Sequence, residues 1–246
     1  MKSFARSAAD ALRRICGERC AACGGREPSE GLCEGCRLDL PGLTRDCCPV
    51  CALPAGTREV CADCLKHPPQ FDSVLAAAVY EYPLDSMIQA FKYGGDITLA
   101  RPLAAILAER IQCDRLPDVI MPMPLSLKKE RDRGFNQAME IARQLPEALR
   151  RLVRADLERV IHTPAQAGLP LEERRRNVSR AFRSRETVRG KRVAILDDVM
   201  TSGATLDAAA GALKAAGAVE VHGWIIARAL RPGRYRAPVS QRPRAG

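Results

Sequence analysis

With 246 residues, 46% of them hydrophobic, the chain can hold one medium globular domain and a small one. Aromatic residues are scarce at 4%, which argues mildly against an extended base-stacking platform. The net charge is +10, and its placement matters more than its size. Arg228, Arg231, Arg234, Arg236, Arg242 and Arg244 all lie beyond the last acid, so residues 231–246 read as a basic disordered tail. No apolar run approaches the about 20 residues of a membrane span. Arg6, Asp10, Arg13 and Arg14 interrupt the N-terminal stretch, so a cytoplasmic protein without membrane insertion is expected.

After an N-terminal extension (1–17) comes a cysteine-rich segment. Eight of the eleven cysteines form four C-x-x-C pairs: Cys20/Cys23, Cys33/Cys36, Cys48/Cys51 and Cys61/Cys64. The second two pairs repeat the first two at an offset of 28 residues, so each half reads C-x2-C-x9-C-x2-C. Four thiolates at that spacing suit tetrahedral zinc, and two structural sites are expected over residues 18–66, a double zinc ribbon. Sequential pairing fits the repeat; a cross-braced arrangement, in which Cys20/Cys23 share a metal with Cys48/Cys51, is the alternative. Disulfides are disfavoured, because no signal peptide is evident and cytosolic thiols stay reduced. The segment has too few large apolar side chains for a core of its own, whereas structural zinc supplies about 10–16 kcal/mol per site. Cys16, Cys47 and Cys113 fit no pair and read as ordinary small residues, with Cys16 a possible substitute ligand. The ribbons either present a docking or nucleic-acid surface or brace the neighbouring domain.

His67-Pro68-Pro69 marks a linker, and a second domain is expected over residues 70–230. Residues 74–82 read as a strand ending at Pro83, and residues 84–91 and 97–111 as helices around the turn Gly94-Gly95-Asp96. A short strand at 119–121 precedes Pro122 and Pro124. Lys128, Lys129, Arg131 and Arg133 then form a cationic loop before a helix from about 136 to 145. Arginines offer forked donors to a diphosphate, so Met123, Pro124, Leu125, Arg131 and Arg133 are candidate pyrophosphate contacts. A strand at 159–161 leads into a long polar segment with Gly168 and Pro170 as hinges. There Gln166, Arg174 and Asn177 are candidate lid residues.

The most informative run is VAILDDVMTSGAT, residues 193–205. Residues 193–196 read as a buried strand of a parallel sheet, and Asp197 and Asp198 come where that strand should end. Ligands of open α/β sheets sit beyond the carboxyl ends of strands. Neighbouring strand residues point to opposite faces, so the two acids can act together only if the strand has begun to turn. Thr201, Ser202, Gly203, Ala204 and Thr205 follow, then an alanine-rich helix over 206–216 closed by Gly217. Hydroxyls and backbone N–H groups at a helix N-terminus form a phosphate cradle.

This run resembles the phosphoribosyl pyrophosphate (PRPP) motif of type I phosphoribosyltransferases, with Ser202 in place of the usual threonine. Further blocks are FKYGGD (91–96), MPMPL (121–125), RGFNQA (133–138) and the series Gln166, Leu169, Glu173-Arg174, Asn177, Ala181-Phe182. Together with LDDVMTSGAT they resemble the ComF family of competence proteins over roughly residues 18–230. Met121 and Met123 stand where valines are more usual. The resemblance implies an α/β fold: a type I phosphoribosyltransferase domain, a parallel sheet flanked by helices, behind a small N-terminal cysteine-rich double zinc ribbon. It also implies a part in natural transformation and DNA uptake, with PRPP as ligand, Mg2+ accompanying it, and Asp197 and Asp198 as catalytic acids. Two functions stay open. One is phosphoribosyl transfer with release of pyrophosphate. The other is a non-catalytic PRPP-sensing module that binds single-stranded DNA or the competence machinery. No acceptor-base motif follows the last strand.

Overall fold

The computed structural model describes residues 19–26, 30–43, 46–111, 115–160, 181–184 and 188–230. The N-terminal extension, Cys16, Cys113, the lid residues Gln166, Arg174 and Asn177, and the tail 231–246 lie outside the described residues. In chain order the elements are α1 (Glu34–Leu38), α2 (Ala62–Lys66), β1 (Ser73–Val79), α3 (Leu84–Tyr93), a 3-10 turn (Ile97–Leu99), α4 (Ala100–Arg110), β2 (Val119–Pro122), α5 (Leu127–Arg133), α6 (Gln137–Gln144), α7 (Glu147–Arg150), β3 (Leu157–Arg159), β4 (Phe182–Ser184), β5 (Arg192–Met200), α8 (Ala204–Ala215) and β6 (Glu220–Arg228). Among the described residues no helix is long and apolar enough to cross a membrane.

The main sheet has the order β1-β6-β5-β2, all neighbours parallel. A central strand with both faces covered needs apolar residues without alternation, and Val193, Ala194, Ile195 and Leu196 are all fully buried. Val193 pairs with Val119 on one side and Val221 on the other. α4 and α6 pack together and against the sheet, while α8 packs on β5, β6 and β4.

Three sequence expectations change. β5 does not stop before the acids but runs through Asp197 and Asp198 to Met200, because β6 continues beside it as far as Arg228. β2 ends at Pro122, opposite Leu196, and a last bond runs from the Met123 N–H to the Leu196 carbonyl at 2.8 Å. Among the described residues β5 therefore has β6 alone as its ladder partner from Asp197 onward, and the acids lie beyond the end of β2. Second, the cationic loop is a helix, α5: the Ser126 Oγ accepts from the Lys129 N–H at 3.4 Å, and Gly134 closes it with a left-handed conformation. Third, the strand expected at 159–161 lies at Leu157–Arg159 and pairs antiparallel with Phe182–Ser184.

The cysteine-rich segment is not a separate bead. Cys20, Leu32, Cys48, Cys51 and Ala52 belong to the same buried cluster as Phe71, Val74 and Leu103. The Val79 N–H donates to the Pro41 carbonyl at 2.7 Å, Gly31 lies against Pro102, and Arg37 forms an ion pair with Glu109. These contacts pack the ribbons against β1 and α4, as bracing of the neighbouring domain requires.

Candidate sugar-phosphate site and cysteine centres

The cysteines assemble in sequence order: Cys20, Cys23, Cys33 and Cys36 form one set, Cys48, Cys51, Cys61 and Cys64 the other. Within each set all four sulfurs lie within 4.8 Å of one another. Four sulfurs about 2.3 Å from a shared zinc stand about 3.8 Å apart. Cys23 and Cys33 are separated by 3.8 Å and Cys51 and Cys61 by 3.7 Å, so both sets fit tetrahedral zinc. The repeat of 28 residues is therefore a repeat of whole sites, and the cross-braced alternative is excluded. Burial pushes the Cys20 thiol up, but backbone N–H groups of Cys33, Cys23 and Ala22 outweigh it and bring it down to about 6. Cys48 behaves alike: burial is outweighed by N–H groups of Cys61, Cys51 and Val50, giving about 7. Each set thus holds one thiol ready to ionise, the form that binds metal.

The open end of β5 carries Asp197 and Asp198. Strand geometry sends their side chains to opposite faces, and each acid has its own partner. The Asp198 carboxylate is buried and lies 2.9 Å from the Lys92 ammonium at the end of α3. Asp197 turns back to accept from the Asp198 N–H at 2.9 Å. Part of Asp197 remains exposed, yet its carboxyl is enclosed: burial, then the neighbouring Asp198 charge, push it up to about 7, against smaller opposing effects of Lys92 and Lys129.

Beyond Met200 the chain turns at Thr201, Ser202 and Gly203, and α8 begins at Ala204. Gly203 has φ +84°, and a Cβ there would stand 2.7 Å from the Met200 Cε. Only glycine suits that turn without strain. Thr201, Ser202, Ala204 and Thr205 are exposed, and the Ser202 Oγ accepts from the Ala204 N–H at 3.4 Å. A twelve-residue helix leaves its first N–H groups pointing into this turn, where they can meet an anion.

The blocks quoted from the sequence converge. Met123 is buried, with its carbonyl accepting from the Asn136 Nδ2 at 3.1 Å, and Pro124 and Leu125 are half-buried beside it. Phe91 of FKYGGD and Phe135 of RGFNQA stack with ring centroids 5.3 Å apart, and the Arg133 guanidinium lies 5.2 Å over the exposed Tyr93 ring. Arg133 also donates to Gln137 at 3.0 Å, whereas Arg131 is exposed on α5. Three residues with structural parts here received no role from sequence reasoning: Lys92, Asn136 and Arg228. The first two sit inside the FKYGGD and RGFNQA blocks, which was the available signal; Arg228 gave none, counting only as part of the basic tail.

Residues 99–240 match the phosphoribosyl transferase domain family, and residues 11–65 match the double zinc ribbon domain. Competence protein F of Haemophilus influenzae is 33% identical over 86% of this chain and 97% of its own length. The chain belongs to the ComF family. Competence protein ComFC of Bacillus subtilis is 30% identical over 76% of this ComF-family chain and 79% of its own. DNA utilization protein YhgH of Escherichia coli K12 is 33% identical over 81% and 98%, respectively. Half of this ComF-family chain also aligns with 24% of the allosteric regulatory enzyme of purine biosynthesis, at 25% identity and a TM-score of 0.33.

Proposed function

We propose that this ComF-family protein binds PRPP with magnesium at the open end of β5 and serves DNA uptake or utilization, as its relatives' names suggest. The observation that carries this reading is the continuous run of a carboxylate pair, the left-handed Gly203 and the α8 N-terminus where β2 has already ended. The 5′-phosphate would sit against Thr201, Ser202, Gly203, Ala204 and Thr205, and the ribose hydroxyls against Asp197 and Asp198. Pyrophosphate would lie toward Met123, Pro124 and Leu125, with Arg131 and Arg133 as the cations at that end. Magnesium would neutralise part of the pyrophosphate charge.

Transfer would break the C1–oxygen bond, pyrophosphate leaving with the electron pair as an acceptor bonds to C1. Carboxylates beneath the sugar stabilise the positive charge that develops there. One observation favours the sensing alternative: Lys92 already occupies Asp198 at 2.9 Å, which reduces the negative charge available to an oxocarbenium-like state. Calorimetry with magnesium and PRPP tests the site, with loss of binding expected for the Asp197→Ala, Asp198→Ala double variant and no loss of folding. Equal affinity in that variant rejects the assignment. Pyrophosphate release with and without a panel of nucleobases then separates transfer from sensing. Binding of single-stranded DNA at rising salt tests direct nucleic-acid contact.

A further inference from the structure

Arg228, the last residue of β6, is 2% exposed and among the largest fully buried side chains. Its Nε donates to the Cys51 carbonyl at 2.9 Å. Its Nη1 donates to the Met200 carbonyl at 2.8 Å, to the Thr201 carbonyl, and to the Ala229 carbonyl at 3.0 Å. One planar guanidinium thus joins a residue of the second cysteine set to the two residues where β5 becomes the 201–205 turn.

A guanidinium is a rigid fork, so its acceptors are held in a fixed relation to one another. A buried cation is costly unless its donors are satisfied, and the carbonyls of Cys51, Met200, Thr201 and Ala229 contribute to that satisfaction while their segments stay in place. Four thiolates around a divalent zinc leave a net charge of two minus. That charge would lie on the residue whose carbonyl Arg228 contacts, and would offset the buried cation. Met200 passes the constraint on: its carbonyl also accepts from the Ala229 N–H at 3.0 Å, and its Cε lies directly beneath Gly203. The first cysteine set is tied elsewhere, to α4, through Arg37 to Glu109 and Gly31 against Pro102.

We infer that Arg228 is a positioning residue that makes the order of the 201–205 turn depend on metal at Cys48, Cys51, Cys61 and Cys64, and not on metal at the first set. Loss or oxidation of the second centre then loosens the turn directly, because the same guanidinium holds the Cys51 carbonyl and the Met200 and Thr201 carbonyls. The consequence for ligand affinity rests on the reading of this turn as a PRPP phosphate cradle, but the structural coupling does not.

Amide hydrogen exchange on the full-length, zinc-loaded protein tests the coupling without any ligand. Cys48→Ser with Cys61→Ser, and separately Arg228→Met, are expected to speed exchange of the Asp207 and Ala229 amides, which donate to the Gly203 and Met200 carbonyls, about tenfold or more beyond any change in residues 193–195, whose exchange reports global stability. Cys23→Ser with Cys33→Ser is expected to change those two amides no more than residues 193–195, and Arg228→Met to retain both zinc ions. Arg228→Lys keeps the charge but not the fork and should fall between. Should any variant fail to fold, gradual chelation of the wild type serves, with thiol alkylation identifying which set has lost metal. The inference is overturned if loss of the first set loosens the turn as much as loss of the second, or if the turn keeps its protection when Arg228 or the second metal is gone. Magnesium and PRPP added to the wild type separate the two claims. If PRPP binds, it should slow zinc release from the second set alone; failure to bind, with the exchange result intact, rejects the PRPP reading only.

Discussion

The Lys92 ammonium and the Asp198 carboxylate form an ion pair of 2.9 Å at the open end of β5, with side chains only 15% and 9% exposed. Burial of that degree makes the pair costly to break from one side, because the remaining charge has neither partner nor water. Lys92→Met is therefore expected to cost about 3 kcal/mol and lower the thermal midpoint by about 6–12 °C. Lys92→Met combined with Asp198→Leu, which removes both charges, should recover much of the loss. Thermal unfolding of the single and double variants checks this.

Asp197 carries the pH dependence of the same site. Burial, then the neighbouring Asp198 charge, push its carboxyl from the ordinary 3.8 up to about 7. A group with a raised folded pKa holds its proton more tightly in the native state, so its contribution is fully present below about pH 4 and is lost as pH rises through about 7. Asp197→Asn should therefore stabilise the protein relative to wild type at pH 8 and make little difference at pH 4.5. The difference between the two melting temperatures, followed across that range, isolates this group from other titrations. A constant difference would mean that Asp197 is ionised throughout.

Much of this site was legible because its parts are contiguous in sequence. Residues 193–205 contain the strand, the acids and the turn, and the cysteine repeat disclosed the order of its two sites. The partners were not legible, since topology brings them from far away: Arg228 reaches Cys51 across 177 residues, and Lys92 reaches Asp198 of β5 from helix α3. The cationic stretch 127–133 read as a loop because it has a single apolar residue and no amphipathic period. Its good helix formers, with Ser126 and Gly134 at its ends, decided otherwise. The extension of β5 past Leu196 depended on the length of β6, which the apolar pattern of β5 alone does not encode.

Gly203 offers a test confined to the turn. A side chain there meets a positive φ, about 1–2 kcal/mol of strain, and a methyl group 2.7 Å from the flexible end of Met200. Met200 can shift, so Gly203→Ala should lower stability modestly but displace the first N–H groups of α8 from the anion position. Affinity for magnesium and PRPP should fall at least about tenfold, more than the stability change alone accounts for. Calorimetric titration at a temperature where the variant is fully folded distinguishes the two effects.

Removal of zinc should act on the whole protein. The buried cluster that contains Cys20, Leu32, Cys48, Cys51 and Ala52 is continuous with the core of the α/β domain, and Pro41 supplies a carbonyl to the Val79 N–H of β1. If the ribbons were beads on a linker, chelation would unfold them and leave the sheet's transition untouched. With a shared core, the apolar surface of Phe71 and Val74 loses cover at the same moment, and burial of such side chains contributes about 1.5–3 kcal/mol each. Differential scanning calorimetry should therefore show one cooperative transition in the zinc-loaded protein, shifted to lower temperature and lower enthalpy after chelation. A sheet transition that keeps its midpoint in chelator would show that the ribbons lend it nothing.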